Sequence, residues 1–159
     1  MRVGRFAPTP TGPLHMGSLV TALASFLDIK KNKGIWSIRI DDLDHPRNDP
    51  EAAKNILECL KKHGLVSEVK TSLQSENLDN YESAMESLKP LLFRCICSRK
   101  SVAKYEVYPG TCREKNLSAE NAAVRLKMPN KKMIFKDKIQ GLMQTHLSTE
   151  VGDLILRRR

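Results

Sequence analysis

The sequence predicts an α/β fold with a parallel sheet, and its first forty residues carry that prediction. Val3–Ala7 reads as a short strand, and apolar residues then recur at helical spacing from Ser18 as Leu19, Leu23, Phe26 and Leu27. Ile35–Ile40 next alternates as a strand does, just after Gly34. Strand, helix and strand in so short a span make a crossover, which pairs its strands in parallel.

The later elements follow in order. Pro8–Pro13 holds three prolines and a glycine, so it is a shaped, non-helical connection. Asp49-Pro50-Glu51 starts a second helix, with proline at its first position and acids at the positive end of the dipole. Ile56, Leu57 and Leu60 form its buried stripe, and His63-Gly64 ends it. A third helix puts Tyr81, Met85, Leu88 and Leu92 on one face, with Pro90 in its last turn. Residues 94–116 are basic, Cys-bearing and weakly periodic, a loop-like insertion held by something other than an apolar core. Ala123–Met128 and Met133–Asp137 read as two strands joined across Pro129-Asn130, and Asp153–Arg157 as a third. The expected organisation is a first α/β unit over 1–93, a metal-binding insertion over 94–120 and an incomplete set of strands over 121–159.

Composition narrows the partners. Lys and Arg number 27 against 18 Asp and Glu, a formal charge of +9. Such an excess favours a polyanion, RNA foremost, although solubility alone accounts for it nearly as well. No apolar run approaches bilayer length, and Met1–Arg5 leads into Pro/Thr sequence rather than a signal-peptide core. The expectation is a cytoplasmic protein with no membrane partner.

Three of the four cysteines are clustered. Cys95-Ile96-Cys97, then fourteen residues, then Cys112 supplies three thiolates for one tetrahedral Zn2+ per chain and leaves a fourth position to fill. Arg94, Arg99, Lys100 and Arg113 flank the cluster and offer compensating charge. Cys59 and His63, four apart on a helix, have a spacing that can bind metal but no further partners, and are assigned to core and helix end.

Arg5 to Leu19 is the most informative stretch: a strand, a rigid loop and a helix N-terminus, whose unpaired N–H groups and positive dipole end suit a phosphate. His15 precedes the helix, where it can hydrogen-bond a phosphate oxygen, and Gly17 would let a purine or sugar approach the backbone. Asp41 and Asp42 follow the second strand, either facing a ligand cleft or capping a solvated loop.

His15-Met16-Gly17-Ser18 resembles the HIGH motif of class I aminoacyl-tRNA synthetases, and Arg5–Gly12 resembles the opening of their glutamyl and glutaminyl branch. Arg39–Arg47 resembles that branch's R-I-E-D-x-D-x-x-R, with Asp41 one methylene shorter than the family's Glu. The resemblance implies a Rossmann-like nucleotide-binding domain with ATP as substrate alongside Mg2+. It implies catalytic roles for His15, Gly17 and Ser18, and a glutamate pocket of Arg5, Phe6, Ala7, Pro8, Thr9 and Asp41. Tyr108-Pro109-Gly110-Thr111-Cys112-Arg113 is similar to the glutamyl-Q tRNA(Asp) synthetases. That likeness makes Tyr108 the fourth zinc ligand, with Tyr105 or water as alternatives, and gives the centre a net charge of about −2. The implied partners of a monomer are L-glutamate, ATP and tRNA(Asp), whose queuosine base at the wobble position receives the glutamyl group.

The resemblance spans Arg2 to Arg158 but covers only the first half of such an enzyme, and no KMSKS-type sequence occurs within it. These residues alone are therefore expected to support little or no activation. Two other readings stand beside this one: a fragment of an ordinary glutamyl-tRNA synthetase, and a non-catalytic, zinc-bearing RNA-binding remnant.

Overall fold

Strand β1 (Val3–Phe6) and strand β2 (Ile35–Ile40) lie side by side in parallel, Val3 opposite Ile35 and Phe6 opposite Ile38. Helix α1 (Met16–Lys31) connects them. After helix α2 (Pro50–Lys62), the two-residue strand β3 (Ser72–Leu73) joins the other edge of β2, again in parallel. The parallel α/β sheet predicted from the first forty residues is thus present. The computed structural model describes residues 1–44, 48–118 and 120–159; His45, Pro46 and Arg47, the end of the acidic motif, lie outside the described residues. The chain divides into two compact units, Met1–Glu82 and Ser83–Arg159.

In the first unit, the alternation of β2 buries Trp36, Ile38 and Ile40. They pack with Phe6 of β1, with Ala22 and Ile29 of α1, and with Ile56 and Leu60 of α2. The inward stripe of α1 is Leu19, Ala22, Phe26 and Ile29, whereas Leu23 and Leu27, expected on it, are exposed. Ala22 explains the rotation: a side chain this small lets α1 approach the sheet closely, and its Ser25 neighbour accepts the Trp36 indole N–H at 2.9 Å. Phe26 meets the Trp36 ring edge-on at 5.3 Å. Asp49 caps α2 by accepting the Glu51 N–H at 2.9 Å, and the last turn closes onto His63.

The unit boundary falls within helix α3 (Leu78–Leu88). Tyr81, Met85 and Leu88 are half-buried on it, but Leu92, expected on the same face, begins strand β4 (Leu92–Cys95). Pro90, which has no N–H to continue the helix, sits in the 3-10 turn between them.

The second unit holds an antiparallel sheet in the order β4-β5-β8, with β5 at Ala123–Leu126 and β8 at Leu154–Arg157. Residues 94 and 95 are therefore strand, and a single turn of helix α4 (Arg99–Val102), capped by Ser98, interrupts the expected loop. Strands β6 (Lys132–Asp137) and β7 (Gly141–His146) form a separate hairpin. The two strands expected to meet across Pro129-Asn130 are consecutive but not paired, since β5 has β4 and β8 as neighbours. Strand β7 was not expected. Its turn signal lies in Asp137, whose carboxylate accepts the N–H groups of Ile139 and Gln140. No helix among the described residues is long and apolar enough to cross a membrane.

Candidate functional sites: a cleft at the helix start and a cysteine cluster

A cleft of about 540 Å3 opens where β1 gives way to the proline loop. Phe6, Ala7, Pro8, Thr9, His15 and Ser18 line it, as do Thr21, which the sequence did not single out, and Ile56, which it assigned only to the buried stripe of the second helix. The loop is held from behind by backbone bonds: the Asp41 N–H reaches the Pro8 carbonyl and the Asp49 N–H the Pro10 carbonyl, both at 2.9 Å. The two sequence motifs therefore meet through main chain.

His15 is the N-cap of α1, a position that Ser, Thr, Asp or Asn ordinarily takes. Its Nδ1 accepts the Ser18 N–H at 3.2 Å, which places the ring proton on Nε2, 3.1 Å from the Ser18 hydroxyl. A Cβ at Gly17 would lie 3.2 Å from His15 Nδ1, so glycine here gives room to the imidazole. The first turn of α1 carries no acid, which leaves its positive end uncompensated. An anion at this end can take over the Ser18 N–H and receive the imidazole N–H as well.

Arg5, Gly17 and Asp41 do not line the cleft. Arg5 is exposed on β1. The Asp41 carboxylate is forked by Arg39, at 2.6 Å to Nε and 3.1 Å to an Nη, and this bond is the main reason the guanidinium titrates above its ordinary value. Asp42 turns the other way, accepting the Ser75 N–H at 2.8 Å and its hydroxyl at 2.6 Å.

In the second unit, the Cys95, Cys97 and Cys112 sulfurs all lie within 4.8 Å of one another, with Cys97 and Cys112 3.6 Å apart and no disulfide. Ligands around a tetrahedral zinc with bonds of about 2.3 Å sit about 3.8 Å apart. The Tyr108 hydroxyl stands 3.4 Å from the Cys95 sulfur and 3.9 Å from that of Cys97, so the donor set fits such an ion. The Cys112 N–H also donates to the Tyr108 oxygen at 3.0 Å. Tyr105 is elsewhere, exposed beneath Lys104. Burial raises Cys97 and Tyr108, and neighbouring sulfurs add to both shifts. Burial also opposes the Cys95 thiolate, but Tyr108, the Cys97 N–H and Arg125 outweigh it and bring that thiol down to about 7.

Two residues that sequence reasoning missed complete the surroundings. Arg125 of β5 is buried, its guanidinium 3.9 Å over the Tyr108 ring. Asp153, just ahead of β8, is buried and holds Arg113 through two bonds of 2.6 Å, while its carbonyl accepts from Arg125 at 2.7 Å. Gly152 before it has φ +69, and a Cβ there would collide with the Val107 side chain.

Residues 2–106 match the family described as tRNA synthetases class I (E and Q), catalytic domain. The chain is 43% identical over 159 residues to a protein of Acinetobacter baylyi named glutamyl-Q tRNA(Asp) synthetase, covering 99% of this chain and 54% of the relative. It is 44% identical over 160 residues to a Pseudomonas aeruginosa protein of the same name, covering 99% and 55%. The chain thus spans about half the length of the curated relatives it matches. Among solved structures, a glutamate tRNA ligase from Elizabethkingia meningosepticum superimposes with a TM-score of 0.75 at 26% identity, covering 94% of this chain and 37% of that one.

Proposed function

The chain belongs to the class I (E and Q) tRNA synthetases, and on that premise we propose that it forms the nucleotide-binding part of a glutamate-activating enzyme of the glutamyl-Q type. The observation that carries the proposal is the cleft of about 540 Å3 at the start of α1, lined by His15 and Ser18. In the reaction, an oxygen of the glutamate α-carboxylate attacks the α-phosphorus of ATP. The bond to the β-phosphate breaks, and pyrophosphate leaves. A carboxylate needs no base, so the residues work by alignment and charge stabilisation. His15 and the Ser18 N–H, now bonded to each other, exchange that bond for contacts to the phosphate. Gly17 keeps the imidazole free to turn. Mg2+ would accompany ATP as its usual counter-ion.

Arg5, Phe6, Ala7, Pro8, Thr9 and Asp41 form the proposed glutamate side, with the Arg39 fork to be released when Asp41 meets the ammonium group. Zinc is proposed to sit among Cys95, Cys97, Cys112 and Tyr108, where it supplies the cross-link that a thin core does not. No KMSKS-type clamp on the leaving phosphates occurs among these 159 residues, and we propose that alone they activate glutamate weakly or not at all.

Titration with ATP and with a non-hydrolysable glutamyl-adenylate mimic tests the cleft. His15→Ala is expected to weaken ATP binding roughly 10- to 100-fold, as loss of a hydrogen bond to a charged group does. The accompanying loss of the helix cap costs about 1 kcal/mol. Wild-type affinity in that variant would remove the nucleotide assignment.

An RNA partner is supported by the charge distribution. Ser83–Arg159 holds 16 Lys and Arg against 7 Asp and Glu, a difference of nine that equals the whole formal excess. Binding measured across a salt series is expected to be steeply salt-dependent and tighter for queuosine-bearing tRNA(Asp) than for tRNA(Glu). The reverse preference would favour an ordinary glutamyl-tRNA synthetase.

A further inference from the structure

Arg125 is a buried cation whose positive charge has no carboxylate partner among the described residues. The nearest buried acid, Asp153, spends both carboxylate oxygens on Arg113, and one of them also accepts the Met128 N–H. Arg125 receives from Asp153 only a neutral carbonyl, and its Nε is buried with no hydrogen-bond acceptor. A guanidinium does not lose its proton, so a buried one is costly unless a negative charge lies close by. The cluster at Cys95, Cys97, Cys112 and Tyr108 has the opposite deficit. Three thiolates and a phenolate around a divalent ion leave a net charge of about −2. The two meet across a single ring, with the Arg125 guanidinium 3.9 Å over Tyr108 and the Tyr108 hydroxyl 3.4 Å from the Cys95 sulfur.

We propose that Arg125 is the internal counter-ion of the zinc centre and holds Tyr108 in the coordination sphere by stacking on its ring. The inference rests on the zinc reading above and concerns what stands behind the ligands. It assigns to a residue of β5 the charge balance that the flanking Arg94, Arg99, Lys100 and Arg113 suggest from sequence. Arg113 is committed to Asp153, whereas Arg125 faces the ligand itself. Partners behind the ligands commonly govern metal affinity, and a face-on guanidinium is matched to an aromatic ring in a way that an ammonium is not.

The test is a double-mutant cycle on the whole chain, read by competition for zinc against a chromophoric chelator. Circular dichroism of the metal-free proteins checks that each variant folds. Arg125→Met is expected to weaken zinc binding about 10- to 100-fold, and Arg125→Lys, which keeps charge but not the plane, to fall between. Zinc addition to wild type is expected to perturb tyrosine absorption in the near ultraviolet, a change that Tyr108→Phe abolishes and Arg125→Met diminishes. In the Tyr108→Phe background, loss of Arg125 should cost less than in wild type. Equal cost in both backgrounds overturns the hold on Tyr108, and unchanged affinity in both Arg125 variants overturns the counter-ion role, each while leaving the zinc centre in place. Wild-type protein that takes up no zinc overturns the metal reading and this inference together.

Discussion

Cys112→Ser is expected to leave the protein without stoichiometric zinc after dialysis and to loosen the backbone from Cys95 to Arg113. Apparent binding free energies of structural zinc are about 10–16 kcal/mol, so removing one thiolate from four ligands should weaken retention by at least roughly 100-fold. Cys112 is 2% exposed, and its backbone N–H, which serine keeps, fixes the Tyr108 hydroxyl, so the variant removes one thiolate and leaves that hold on Tyr108 in place. Elemental analysis gives the metal content, and hydrogen exchange reports on the amides of the loop. Cys59→Ser is the control: Cys59 lies on α2 with His63 as its neighbour, and its loss should leave zinc in place. A Cys112→Ser protein that holds zinc as tightly as wild type would show that this sulfur is not a ligand.

Features governed by local chemistry were legible in the sequence. The alternation of Ile35–Ile40, the cap at Asp49 and the stop at His63-Gly64 each depend on a few neighbouring residues, and the structure contains all of them. The clustering of Cys95, Cys97 and Cys112 was also readable, because short spacing limits how far apart the sulfurs can be.

What escaped depends on register and on side-chain competition. Arg125 reads as an ordinary exposed position between Val124 and Leu126. The β5–β8 register shifts between Val124 and Arg125, and such an irregularity lets two successive residues both turn inward. No sequence period reports a shift of that kind. The inward face of α1 was misjudged for a related reason: Leu23 outranks Ala22 in hydrophobicity, but the closest helix–sheet approach selects the smaller side chain. At Asp41 the chemistry was visible but the partner was not. Arg39 lies near the end of β2 and Asp41 one residue past that end, so the guanidinium reaches the carboxylate before any ligand does.

Asp153→Asn is the second substitution expected to have a large effect, and it separates the framework of the cluster from the metal itself. The Asp153 side chain is fully buried and accepts two hydrogen bonds of 2.6 Å from Arg113 and one of 3.0 Å from the Met128 N–H. Asparagine preserves the shape but sets an amide N–H against the guanidinium and removes the charge that Arg113 answers. Breaking a buried pair costs about 3–5 kcal/mol, and because Arg113 retains 28% exposure, water softens the loss toward the lower figure. Urea unfolding of the zinc-loaded protein should therefore show a loss of about 3 kcal/mol. Lys127 and Glu114 form a second ion pair in the same unit, but both are well exposed, and Glu114→Gln should leave the midpoint nearly unmoved. The contrast follows from burial rather than distance, since the two pairs differ by only a few tenths of an ångström in length. Equal shifts in the two variants would mean that the Arg113–Asp153 pair does not hold the cysteine loop to the β5–β8 edge.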